Sequence, residues 1–196
     1  MRAQFLAGVL FSKDIFQGEA FFYGAKFQGR ADFNQAEFNN KAYFSGAKYF
    51  SEAFFYGARF SDKADFLKSQ FNDRANFSDA TFYKEADFSE TKFNNKAYFF
   101  KVRCFSEANF FKAEFSNNVH FSRAKFSTEV NFSGHFNGKT EFNYVLFEEK
   151  EKVIFDIENL SNVSFMNTDL TEVRFSDKAR WRGGGINVDG IIRKPE

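Results

Sequence analysis

Bulky residues recur at positions 22, 27, 33, 38, 44, 49, 55, 60, 66, 71, 77, 82, 88, 93, 99, 104, 110, 115, 121, 126 and 132, so the interval alternates 5, 6, 5, 6 from Phe22 to Phe132 without a slip. Nineteen of these 21 slots hold Phe, the exceptions being Tyr49 and Cys104. Two residues before each slot stands a small residue, from Ala20, Ala25 and Ala31 to Ser69, Thr91, Val102 and Val130. A helix needs apolar spacing of 3 and 4, and a plain amphipathic strand needs spacing of 2 over a longer run. Spacing of 5 and 6 leaves very short extended segments separated by corners. The small residue and the Phe are two apart, so both point inward, and the residue between them points out. Those in-between residues are mostly polar: Lys26, Asp32, Glu37, Lys48, Arg59, Asp65, Gln70, Asn76 and Asp87.

The number of units per turn follows from filling the interior. One 11-residue unit gives a flat two-sided coil, and three leave a lumen that Phe and Ala cannot fill at native density. Two units give a four-sided coil with four Phe and four small residues per layer. Such layers stack at about 4.8 Å as parallel strands. The extra residue of each six-residue step is usually charged, as at Glu19, Arg30, Lys41, Glu52, Lys63, Arg74, Glu85, Lys96, Glu107 and Glu129. The single proline, Pro195, leaves the repeat free of breaks in backbone donation.

Outside the strict array the pattern loosens. Residues 1–21 read as an irregular approach, with Phe5 and Leu10 as early slots. Met1 opens in mid-pattern, which points to a self-capping first coil, a partner over that end, or a fragment. After Phe132 the register breaks at Phe136, resumes at Phe142 and Phe147, and meets a charged insertion, Glu148 to Lys152, read as a surface loop. Spacing is then 5 throughout, at Phe155, Leu160, Phe165, Leu170 and Phe175. Trp181 is the expected last core slot, so residues 1–181 form the repeat domain and 182–196 a loose tail. A longer echo, Phe38 to Phe44 repeated at Phe93 to Phe99, indicates segmental duplication.

Ala31-Asp32-Phe33, Ala64-Asp65-Phe66, Ala75-Asn76-Phe77, Ala86-Asp87-Phe88 and Thr168-Asp169-Leu170 match the A-(D/N)-L-x-x consensus of the pentapeptide-repeat family, which the chain resembles over roughly residues 5–181. The alternating 5/6 spacing and Phe for Leu resemble a Phe-rich branch found in archaeal and bacterial proteins. The resemblance implies an all-β, right-handed, four-sided parallel β-helix of about eight coils, with Phe/Leu and Ala ladders inside. The block Lys152 to Trp181 is similar to one in larger members, some with a later membrane-associated region, so a repeat domain truncated from such a protein is one expectation. Another is DNA mimicry against a type II topoisomerase, as in the gyrase-protecting members.

Chemistry is sparse. Lys plus Arg is 27 and Asp plus Glu is 26, a net charge of +1 that argues against direct nucleic-acid binding and gives mimicry no help unless charge segregates by face. One cysteine excludes an intrachain disulfide and fits a reducing, cytoplasmic setting. No run of about 18 apolar residues is present to span a bilayer. His120 and His135 lack paired spacing for a metal site. Cys104 reads as a small core hydrophobe with no base beside it. Gly183-Gly184-Gly185 lacks the Lys and Ser/Thr of a phosphate loop. The expectation is therefore no enzyme, no cofactor and no metal, but a structural or protein-interaction scaffold. Its candidate surface is the outward aromatics Tyr43, Phe50, Phe54, Tyr56, Tyr98, Phe100, Phe105 and Phe111, or the coil ends, binding an unidentified protein or a second copy.

Overall fold

Residues 3–180 are described by a computed structural model, an all-β parallel solenoid. The regular coils carry four strands each, most of them two residues long, and each strand pairs in parallel with its counterpart one coil on. The registers Gln4↔Lys26, Val9↔Ala31, Ile15↔Glu37 and Ala20↔Ala42 define four faces, numbered here in that order. All four registers share one interval, the two-unit turn expected from the spacing. The second face is a sheet of eight strands and so counts eight coils. Faces one and four share one 13-stranded sheet, because strands Ala108–Phe115 and Val130–Phe136 run through the corner between them.

The alternation of five and six residues reflects two kinds of corner. At the five-residue corners Ala36 N donates to Phe33 O (3.1 Å) and Gln35 has φ of 56°, a type II turn. Lys68, Asp79, Glu90 and Lys101 repeat this left-handed position. At the corners with the extra charged residue, from Arg30 to Glu107, no residue has positive φ.

Inside, the Phe rings form ladders. Phe33, Phe55, Phe77 and Phe99 stack at 4.8–5.1 Å with planes within 4° of parallel, and Phe44, Phe66 and Phe88 do the same on the fourth face. The two ladders meet edge to face, as in Phe66–Phe77 at 5.3 Å and 88°. Offset stacks along the axis and T-shaped contacts across it are both favourable ring arrangements. The small-residue slots Ser69 and Thr91 turn their hydroxyls to the carbonyls of Phe44 and Phe66, so these polar atoms are satisfied in the interior.

The two odd slots differ in consequence. Cys104 shortens the third-face ladder, where Phe82 and Phe126 have no ring between them, and Val102 beside it supplies volume that Ala gives elsewhere. Tyr49 keeps its ring in the stack, 4.8 Å from Phe27 and 4.5 Å from Phe71, but its buried hydroxyl finds no hydrogen-bond partner. An unsatisfied buried hydroxyl costs about 1–3 kcal/mol. Tyr49→Phe is therefore expected to raise stability by about 1–2 kcal/mol, read as a higher urea midpoint; a lower midpoint would show that the hydroxyl has a partner.

The ends of the array depart from the expectation. Residues 4–21 are a regular coil: Phe5, Phe11 and Phe16 stack on Phe27, Phe33 and Phe38. Leu10 is not a slot; it points outward and is 76% exposed, because Phe11 takes the position that Leu10 would need to fill. The break near Phe136 is a one-residue slip. Phe110 pairs with Phe132 at the regular interval, but Ala113 pairs with Gly134, one position short of it. The charged insertion is a 3-10 turn, Lys150–Lys152, that lengthens its coil by one position, as in Val130↔Val153. Five-residue spacing then gives a coil two positions shorter than the regular one, Phe155↔Phe175. Leu160, Phe165 and Leu170 are buried as expected. Trp181, the Gly183-Gly184-Gly185 run and the expected tail lie outside the described residues.

Candidate interaction surfaces

Because each outward residue sits above its counterpart one coil earlier, surface side chains form columns. The eight candidate aromatics fall on all four faces. Phe50 follows the first-face strand Lys48–Tyr49, Phe105 the third-face strand Arg103–Cys104, and Tyr43 and Phe111 belong to the fourth-face side. Only the second-face group comes together. Phe54 and Tyr98 share a column with Asn76 between them, and Tyr56 and Phe100 share the adjoining corner with Ser78 between them.

Neighbours cover part of this group. Arg30 and Arg74 lie over the Phe54 ring, 4.4 and 5.4 Å from its centroid. His120 stacks on Tyr98 at 5.2 Å and shares its Nδ1 with Glu141, 2.9 Å away. Tyr56 is the barest of the four. Two aromatic stacks were not among the candidates. Phe21 and Tyr23 stack with Tyr43 at 5.3 and 5.0 Å, and Tyr83 stacks with Phe105 at 5.5 Å. The one-coil spacing of Phe21 from Tyr43, and of Tyr83 from Phe105, was the signal that would have found them.

Charge is distributed unevenly. The fourth face gathers Asp65, Asp87, Glu85, Glu107 and Glu129 in adjacent columns. Burial first, then Glu129, Glu85 and Asp87, push the Glu107 carboxyl up; burial, then Asp87 among the charges, does the same for Asp65. Lysines interrupt this face, with Lys63 bound to Glu85 at 2.8 Å, so it is not continuously acidic. The third face carries Arg59, Arg103 and Lys125 in one column with Thr81.

A family model for pentapeptide repeats (nine copies) matches residues 49–92, the central coils of this four-stranded lattice. These central coils are pentapeptide repeats. Neither a curated protein nor a solved structure matches it.

The reactive side chains of this pentapeptide-repeat solenoid are held apart by the same lattice. Cys104 is buried, and burial pushes its thiol up, away from the thiolate that nucleophilic chemistry needs. His120 is engaged by Tyr98 and Glu141, whereas His135 lies on the first face beside a groove with Asp156 and Glu158. Among the described residues no three His, Cys, Asp or Glu side chains gather as a metal site, and no helix is long and apolar enough to cross a membrane.

Proposed function

We propose that this pentapeptide-repeat solenoid is a non-catalytic protein-interaction scaffold. The observation that supports it is the set of exposed aromatics on a rigid lattice, with Phe21 62%, Tyr23 47%, Phe50 43% and Tyr56 42% exposed. Exposed aromatics favour partner contact because they bury large area at little cost in side-chain entropy. The first coil adds Leu6, Leu10 and Ile15, all exposed, as a second contact for self-association. A buried, unpaired Cys104 suits a reducing compartment, the cytoplasm in this reading. Topoisomerase mimicry gains no support from a fourth face whose carboxylates are interleaved with lysines.

Substituting Ser for Phe54, Tyr56, Tyr98 and Phe100 together tests the surface. The variant should keep its β circular dichroism while its self-association or partner capture weakens at least tenfold, read by light scattering and co-purification. Unchanged mass and unchanged partners in the folded variant would refute a role for this patch.

A further inference from the structure

The third face holds a notch cut by short side chains. Thr81 stands between Arg59 and Arg103 in one column, and Gly57 leaves the neighbouring corner bare beside Tyr56. The resulting groove, about 490 Å³, is of the size that holds small ligands or a few peptide side chains. Both guanidiniums lean into the middle coil. Arg59 Nη2 donates to the Tyr83 hydroxyl at 2.9 Å, and Arg103 donates to Thr81 Oγ1 through Nη2 at 3.1 Å and Nε at 3.3 Å.

Several cations of the lattice are paired with a carboxylate about one coil away: Arg74 with Glu52, Lys63 with Glu85, Lys92 with Glu114 and Lys125 with Glu148. Arg59 turns away from Glu37, its neighbour one coil back, and among the described residues neither Arg59 nor Arg103 forms an ion pair. Two like charges thus lean onto the coil between them, Arg103 on Thr81 and Arg59 on Tyr83, and the Thr81 hydroxyl that accepts from Arg103 retains its own proton to donate. We propose that this groove binds an extended acidic peptide of a partner protein, with two carboxylates seated on Arg59 and Arg103. The inference rests on the scaffold reading and names the chemistry of the partner.

Peptide carboxylates suit the spacing. Side chains two apart in an extended segment project to the same side about 6.6–6.8 Å apart. The two arginines start two coils, about 9.6 Å, apart and lean toward each other. Planar guanidinium forks match carboxylates bidentately. A single-stranded nucleic acid fits less well because bases stack on open ring faces. Here Tyr83 and Phe105 cover one another, and their outer sides meet Arg59 and Lys125, each 5.7 Å from a ring centroid.

The test is titration of the whole protein, at low ionic strength, with a synthetic Gly-Glu-Gly-Glu-Gly peptide followed by calorimetry. Saturable binding is expected, with at least tenfold weakening when both glutamates become glutamine or when the protein carries R59Q and R103Q. Lys26→Gln with Lys48→Gln on the first face should leave it unchanged. Circular dichroism confirms that each variant is folded. Absence of binding, equal binding of the Gln peptide, or indifference to R59Q and R103Q overturns the assignment, as does tighter binding of oligothymidylate or inorganic phosphate. A protein that captures partners but ignores the peptide loses only the groove assignment. One that neither self-associates nor captures a partner loses the scaffold reading itself.

Discussion

Phe77→Ala should destabilise the solenoid by about 3–5 kcal/mol, the upper range for deleting a buried ring. Phe77 is fully buried, stacked on Phe55 at 4.8 Å and Phe99 at 5.1 Å, with Phe66, Phe71 and Phe88 presenting edges at 5.2–5.8 Å. Cavities cost most where the surroundings cannot close in. Here they are held on four sides by backbone ladders, such as Phe77 N to Tyr98 O at 2.7 Å, that set the layer spacing. Lys63→Ala is the control: it removes a half-exposed side chain and one ion pair with Glu85, worth about 0–1 kcal/mol. Urea denaturation reads both. Equal losses would mean that the inward and outward positions are wrongly assigned.

Gly134→Ala should cost about 2–6 kcal/mol, the sum of a forbidden backbone conformation and overpacking. Gly134 has φ of +136°, and a Cβ there would lie 2.1 Å from Ala113 O and 2.8 Å from Ala113 N. These are backbone atoms in the paired strand, so they cannot rotate aside. Gly46→Ala is the matched comparison. Its φ is +64°, its nearest neighbour would be Gly24 Cα at 3.9 Å, and Lys68 and Glu90 occupy the same column with positive φ. It should cost about 1–2 kcal/mol, the ordinary penalty of a left-handed position. Hydrogen exchange along Val130–Phe136 would localise the damage. If the two substitutions cost the same, the one-residue slip is not held at Gly134.

Much of this fold was legible because the repeat is periodic: alternating intervals require two corner types, and the Ala-x-Phe spacing assigns inside and outside. Legibility failed where one position admits two readings. Leu10 and Phe11 are both bulky, and only the register with Asp32 and Phe33 shows which one enters the core. The aromatic surface was legible as columns wherever the one-coil spacing was applied, hence Phe54 with Tyr98. It was not legible as exposure, because Arg30 and Arg74 over Phe54 depend on how long side chains lean between coils. The groove at Thr81 was hidden for a related reason: a notch is a property of short residues relative to their neighbours in the coils on either side.

Coils of unequal length, closed at Ala64↔Ala86, Val119↔Thr140, Val130↔Val153 and Phe155↔Phe175, stack on one another with their strands still paired. What successive turns must share is therefore the phase of the four sides, while residue count is free to vary at the corners. A gene for such a protein can gain or lose a codon at a bend and re-enter the pattern within one side. That makes each corner a port where new sequence can be tried without rewriting the interior, and the interior in turn gives every such trial the same rigid mount.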